Sequence, residues 1–566
     1  MIQKFMGNKL FLLILFIHST FRLFSQDYVV SGRVSDSATN ESLAFVNIVM
    51  NDGHFGGVTD IDGRFVLTSD LPVKSLTISY VGYKPRRVML TGEGKELRIR
   101  LQRVELELSE VLIMAGENPA HRIIRNAIKM KKVNNPANIQ SFTYTSYDKM
   151  IFTVNADSLL ASEGMPLDSN DLRLLQVLER QHLFMMESVA EHKYLHPDKS
   201  YDKIIATRIS GLKDPLFVFL ISQMQSASFY DDLITIAGVN YINPISAGAD
   251  NHYYFALKDT IYGSSLGDTT FVISFKPQSG RNFDGMKGLL YINNYLWAIQ
   301  NVIAEPARPN EAFEMKIQQM YKLIDGKQWF PVQLNTDITF NRINMNKEKP
   351  MGIGKSYRRD IRLDSSVVKR DMTNIALEVV PQASHQDELF WQRYRVDSLT
   401  LREINTYKVI DSLGRVNNFD AKVKGLTSLM SGKIPLGYLE MDLNRLFRYS
   451  HYEGFYAGLG LHTSDKVSRF IKAGGFWGYG FKDKETKYGA DILLRLHRFD
   501  HLTLGFKYAN DLEESAGVHF FDDNLSAFNP QNFRNVFINR MDKVETREIL
   551  LRFRMLRYVQ AGLGID

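Results

Sequence analysis

From about residue 435 onward, apolar side chains take every second position in five successive segments, and this pattern limits the fold more than any other feature. Phe455, Ala457, Leu459 and Leu461 alternate with Tyr456, Gly458, Gly460 and His462. Ile471, Ala473, Gly475, Trp477, Tyr479 and Phe481 alternate with Lys472, Gly474, Phe476, Gly478 and Gly480. The same rhythm returns at Tyr488, Ala490, Ile492, Leu494 and Leu496, at Leu502, Leu504, Phe506 and Tyr508, and at Ile549, Leu551, Phe553 and Met555. A period of two belongs to strands, each with one apolar face and one smaller or polar face. Segments of about ten residues are long enough to cross a bilayer as tilted strands. A large antiparallel sheet wetted on one face has the same period, so the pattern alone leaves both readings open.

The other end of the chain favours the membrane. Lys4 and Lys9 precede an unbroken apolar run at 10–17 (LFLLILFI), and polar residues lead to Ser25 and Gln26. That order is the order of a signal peptide, and the run is too short to span a bilayer as a helix. Leu23, three residues before the expected cut, is larger than the residue usual there. No later apolar run is long enough either, and residues 215–224 (PLFVFLISQM) read as a core element. A chain of this kind can cross a membrane only as a closed sheet. Its 26 Tyr and 36 Phe suit strands and membrane interfaces. Residues 431–566 are therefore expected to be the first strands of an outer-membrane β-barrel. Five or six strands fall short of the roughly eight that close one. The sequence also stops inside a strand-like stretch, so it is expected to be part of a longer protein. The short turns at 482–487 and 499–501 and the long polar connection at 511–544 are expected to mark opposite sides of the barrel.

Residues 28–104 alternate short strands with turns. Strands are expected at 28–34, 44–50, 64–68, 76–80, 86–90 and 97–101, with a tight turn at Asp60, Ile61, Asp62 and Gly63. Such spacing suggests a small β-sandwich. The run resembles the carboxypeptidase-regulatory-like domain, a transthyretin-like sandwich. The resemblance lies in Gly32-Arg33-Val34, Leu43 to Ile48, Gly57 to Phe65, Ser79 to Tyr83 and Leu108 to Ile113. It implies a non-catalytic accessory domain over residues 26–115.

Residues 116–430 mix helix and strand. Ile123, Ile124, Ala127 and Ile128 line one side of an expected helix at 118–133, with Pro119 in its first turn. Further helices are expected at 172–178, 217–222 and 390–412, the last with Leu399, Glu403, Tyr407 and Ile410 at helical spacing. Strands are expected at 141–147, 253–257, 271–275, 289–291 and 297–303, and a strand pair or one long strand at 329–340. The order of Asn118-Pro119-Ala120, Ile123 to Ile128, Ser141 to Tyr144, Phe271 to Pro277, and Leu399-Thr400 with Glu403, Tyr407 and Asp411 to Leu413 is similar to a Bacteroidetes outer-membrane family. In that family the regulatory-like domain precedes a domain of unknown function and a C-terminal β-barrel.

Composition and motifs narrow the chemistry. A formal charge of +6 over 566 residues, without a long basic block, does not support nucleic acid as a partner. Basic residues on a barrel's polar face or near anionic head groups account for the surplus equally well. The absence of cysteine removes disulfides, thiolate catalysis, zinc–cysteine sites and a lipid-modified N-terminal cysteine. His192 and His196 could face zinc together on a helix, but the His-Glu-x-x-His order is missing and Pro197 would end the helix, so a surface pair is the better reading. Asp60-Ile61-Asp62-Gly63 lacks the remaining ligands of a calcium loop. Gly474, Gly475, Gly478 and Gly480 lie in a strand, where they relieve crowding. Asp231-Asp232 and Asp522-Asp523 sit by turns, with nothing placing an acid opposite a base. No catalytic, cofactor-binding or metal residue is assigned.

The fold expected is thus mainly β: an N-terminal β-sandwich, a mixed α/β middle region and an incomplete antiparallel transmembrane β-barrel. Residues 1–25 would be a signal peptide. The expected location is the cell outer membrane with the N-terminal domains in the periplasm. The expected partners are outer-membrane lipid and other envelope proteins, and the expected role is binding, transport or envelope structure rather than catalysis. An energy-coupled nutrient receptor remains an alternative, although residues 120–415 do not read as its plug. An exported surface enzyme is a second alternative.

Overall fold

The computed structural model describes residues 28–53, 55–90, 96–104, 118–154, 169–197, 199–212, 228–236, 239–263, 268–280, 283–308, 313–343, 349–364, 367, 372, 377–380, 382–422, 432–464, 466–468, 470–496, 502–514, 541–556 and 559–565. The expected signal peptide, the motif at 108–113, the helix at 217–222 and Asp522-Asp523 lie outside them.

Seven strands make the sandwich: β1 (Tyr28–Asp36), β2 (Asn47–Met50), β3 (Gly56–Val58), β4 (Arg64–Ser69), β5 (Ser75–Ser79), β6 (Arg86–Met89) and β7 (Leu97–Leu101). They form two sheets, β4-β1-β7 and β3-β2-β5-β6. Alternation along each strand sends Val34, Ile48, Leu76, Ile78 and Ile99 into the core between the sheets. The expected turn at 60–63 is present, with Gly63 at φ +75° and the Asp60 carboxylate accepting from the Arg64 N–H at 2.8 Å.

The middle region begins with helix α1 (Pro119–Asn134), capped by the Asn118 side chain and closed beside Lys131 and Lys132. Then follow β8 (Ser141–Val154), α2 (Ser169–Arg180), β9 (Phe184–Leu195), β10 (Lys199–Ile209), β11 (Leu233–Ile236), β12 (Val239–Ile242), β13 (Tyr253–Tyr262), β14 (Thr269–Pro277) and β15 (Met286–Asn293). The run continues with β16 (Ile299–Pro306), β17 (Phe313–Ile324), β18 (Gln328–Phe340), β19 (Pro350–Leu363), β20 (Leu377–Val379), α3 (Glu388–Tyr394) and α4 (Leu401–Val416). Eleven strands pair in the order β13-β14-β15-β16-β17-β18-β19-β8-β9-β10-β20. One face receives α1, whose Ile123, Ile124 and Ala127 pack with Phe255, Phe275, Leu290 and Ile292. The opposite face receives the sandwich, with Phe45 and Ile61 against Ile261, Val272 and Tyr291. Farther along, Trp391 of α3 packs with Tyr147 and Val189, and Tyr407 of α4 with Ile151 and Met185.

Three expectations need correction here. The helix expected over 390–412 is two helices, because Arg395 leaves the first in an extended conformation and Thr400 caps the second. The surface pair expected of His192 and His196 does not form, because His192 lies on a strand, where a four-residue spacing does not bring His196 beside it. Trp297 has φ +49° and sits in the turn before β16, not in the strand.

The C-terminal strands are β21 (Lys433–Leu436), β22 (Leu439–Asp442), β23 (Phe447–Ser450), β24 (Gly454–Thr463), β25 (Ile471–Gly480), β26 (Thr486–Arg495), β27 (Leu502–Glu514), β28 (Met541–Leu556) and β29 (Val559–Ile565). They form one nine-stranded antiparallel sheet, in which β23 pairs beside β24 and the rest run in sequence order. Among the described residues the first and last strands do not pair, so the sheet is open. The 511–544 connection is shorter than its composition suggests, because pairing continues from Asp511↔Val544 to Glu514↔Met541. Strand direction alternates, so this connection and the short 481–485 turn share one end of the sheet; short turns are not confined to one side.

Candidate membrane surface and charged inner face

Each long C-terminal strand sends alternate side chains to two unlike faces. On one face Leu459, Trp477 and Tyr488 stand opposite one another across three strands. Ala473, Ile492, Phe506 and Ile549 do so across four. These large apolar groups are open: Phe455 is 70% exposed, Trp477 58%, Ile492 46% and Phe506 40%. The residues that would have been core in a soluble sheet are uncovered among the described residues.

The other face carries the charges, and around Glu453, Tyr456 and Lys487 it is closed. Arg448 donates to Glu453 at 2.7 Å and to Asp511 at 2.5 Å. Arg445 donates to the same Asp511 at 2.5 Å. Lys487, 2% exposed, lies 3.3 Å from Glu453 and is also paired with Asp483. His462 sits between Asp442, at 3.0 Å, and Asp491, at 2.8 Å. Lys433 and Lys472 share Glu440. Every cation named here has an acidic partner.

Aromatic rings complete this inner layer by lying across neighbouring strands at glycines. A Cβ at Gly474 would fall 2.0 Å from the His462 ring, and one at Gly478 would fall 2.1 Å from the Tyr456 hydroxyl. Their expected role in relieving crowding is thus specific: they seat two rings. Arg445 lies over Phe476 at 3.7 Å and Arg448 over Tyr456 at 4.2 Å.

The sequence-derived candidates fall elsewhere. His196 is near the Ala137 carbonyl, at 3.1 Å, and away from His192. Asp232 accepts from Lys131 at 2.6 Å, an exposed pair that does not include Asp231. Asp62 does more than turn the chain. Its carboxylate accepts from Lys355 at 2.5 Å, Gln333 at 2.9 Å and Tyr357 at 2.9 Å, all on the middle sheet.

Two clusters, one partly and one fully buried, went unseen in the sequence. Ser146 Oγ lies 2.8 Å from His192 Nε2, and His192 Nδ1 lies 2.6 Å from Asp202. That is the connectivity of a hydrolytic triad, here with the serine set inside the sheet. Ser146 is 2% exposed and lies within a central strand paired on both sides. Its hydroxyl also donates to Asp148 at 2.8 Å, and the Tyr144 ring stacks on the imidazole at 4.3 Å. The second cluster surrounds Glu187, fully buried on β9. It accepts from Arg395 at 2.7 and 2.8 Å, from Tyr147 at 2.6 Å and from Tyr407 at 2.7 Å. Burial would raise this carboxyl, but the Arg395 guanidinium and the two phenols outweigh it and hold it below its usual value. Among the described residues no group of three or more His, Cys, Asp or Glu is placed to hold a metal.

Residues 30–113 match the CarboxypepD_reg-like domain, and residues 123–350 match a family of unknown function, DUF5686. The chain therefore carries these two domains in that order. No curated protein matches it. Among solved structures, a DUF1329 family protein from Desulfovibrio piger is 10% identical, with 46% of this chain and 98% of that chain covered and a TM-score of 0.20. A Vibrio parahaemolyticus domain assigned to outer-membrane lipoprotein sorting is 10% identical, covering 44% and 96%, with a TM-score of 0.19. A mutant porin of Rh. blastica is 6% identical, covering 65% and 93%, with a TM-score of 0.09. Likenesses this shallow carry no functional argument.

Proposed function

We propose that this chain, with its regulatory-like sandwich followed by a DUF5686 domain, is an outer-membrane protein whose C-terminal strands are part of a transmembrane β-barrel. The sandwich and the middle region stand in the periplasm. The role is non-catalytic: binding, transport or envelope structure, with membrane lipid as the first partner.

The observation that carries the reading is the inversion of the C-terminal sheet. A water-soluble sheet buries its apolar face and wets its polar one. Here Trp477, Ile492 and Phe506 are outward while Lys487, Glu453 and Tyr456 are shut in. An apolar exterior around a polar interior is the arrangement of a barrel in lipid. The closely paired charges of the inner face favour a structural interior over an open ion path, since no cation named there is left to meet a solute.

Ile492→Arg tests the reading. In lipid, a cation near the bilayer midplane costs about 2–4 kcal/mol, and the variant should accumulate poorly in the outer-membrane fraction. On a water-exposed surface the same change should stay within about 0.5 kcal/mol of neutral. Wild-type protein found only in the soluble periplasmic fraction, or a variant as abundant in the membrane as wild type, overturns the proposal.

A further inference from the structure

The sandwich has an outward face that its own contacts leave unbalanced. In the β4-β1-β7 sheet, Arg33 stands directly opposite Arg64 on one side and Arg98 on the other. Arg100 follows two residues on, opposite Ser35. Like charges in register across a sheet repel. Arg64 is relieved by Asp397 at 2.7 Å. Among the described residues Arg33 reaches the Ser42 hydroxyl, at 2.6 Å. Arg33, Arg98 and Arg100 have no acidic partner among the described residues, and all three are exposed. Arg86, from the other sheet, donates to the Arg100 carbonyl at 2.8 Å and brings a fourth cation to the same edge. The face also displays two large apolar groups, Val29 at 58% exposure and Val66 at 70%. Val66 is opposite Ser31, so it lies between the arginine row and Val29.

We propose that this face rests on an anionic phospholipid surface, with head-group phosphates between the arginines and the two valines entering the interface. Phosphate suits the planar guanidinium fork and would remove the repulsion within the row. The valines decide the class of partner. An acidic polymer would be met by the arginines alone, whereas an interfacial surface uses cations and apolar groups together. The inference rests on the barrel reading for one thing only, the nearness of a bilayer.

The experiment uses the full chain in lipid vesicles. Because the sequence has no cysteine, Val66→Cys carries a single fluorophore without further change. Vesicles of phosphatidylcholine, alone or mixed with phosphatidylglycerol, include a lipid-borne quencher. Quenching is expected with phosphatidylglycerol and not without it. Arg33→Gln, Arg98→Gln and Arg100→Gln should each weaken it by about fivefold, and added salt should weaken it further. Equal quenching in both lipids, or quenching indifferent to the three substitutions, overturns the proposal. So does protection of the label by soluble peptidoglycan fragments with no lipid quenching, which would assign the face to an acidic polymer. A separate Ile492→Cys label reports on the barrel. Its quenching in both lipids keeps the barrel reading whatever Val66 does, and its silence defeats that reading independently. Circular dichroism of each variant shows that the fold is retained.

Discussion

Two buried carboxylates on adjacent strands show how environment assigns opposite roles to the same chemistry. Glu187 is held ionised by Arg395, whereas burial raises Asp148, with hydrogen bonds from Ser356 and Ser146 and the charge of His192 opposing it only in part. Arg395→Met would strand the Glu187 charge away from water and should cost about 3–5 kcal/mol in urea unfolding of the middle region. Asp148→Asn keeps a hydrogen-bonding group without a buried charge and should cost less than about 1 kcal/mol. The pH dependence differs in sign. Glu187 has its pKa lowered by folding, so its contribution is full above the unfolded carboxylate pKa and is lost as pH falls through the lower folded value. Asp148 binds its proton more tightly when folded, so its contribution grows as pH falls through its raised value. None of this was legible in the sequence, where nothing singles out Glu187. Its partner Arg395 lies 208 positions away, and no periodicity links residues at that distance.

At the scale of elements, legibility followed periodicity. The alternation after residue 435 predicted the long C-terminal strands and the face on which Leu459, Trp477, Ile492 and Phe506 stand, because a strand's side-chain period leaves only two choices. The helix at 119–134 was equally readable from its Ile-rich stripe and Pro119. The pattern misled where a cap interrupts it. Leu399, Glu403, Tyr407 and Ile410 keep helical spacing, but the chain between α3 and α4 is extended so that Arg395 can reach Glu187. α4 then starts anew at a reciprocal cap. Thr400 Oγ accepts from the Glu403 N–H at 3.2 Å, and the Glu403 carboxylate accepts from the Thr400 N–H at 2.8 Å. Thr400→Ala should therefore destabilise α4 by about 1 kcal/mol. Hydrogen exchange should show faster opening across 401–407 and little change in β8 or β9; uniform acceleration through the sheet would mean that the cap does not act locally.

At the scale of the molecule, the relation between sandwich and middle region could not be read from the chain, because the turn at 60–63 is as ordinary in composition as any loop. Its docking is both apolar and charged: Phe45 and Ile61 are buried against the middle sheet, and Asp62 meets Lys355, Gln333 and Tyr357 there. Burial would raise the Asp62 carboxyl, but the Lys355 charge and the hydrogen bonds lower it. The docking is thus strongest above the usual carboxylate range and weakens as pH falls through the lowered value. A regulatory-like domain fixed in this way acts as part of one body with the middle region and not as a module on a tether. Asp62→Ala removes the acceptor and leaves Lys355 facing the interface without it, a loss in the range of about 3–5 kcal/mol for a buried pair. Lys355 is partly open, at 29% side-chain exposure, which places the expected loss below that range. Calorimetry of the wild type should then show the sandwich and middle region melting together, and the variant should show the sandwich melting first. Two separate transitions in the wild type would mean that the contact is too weak to couple them.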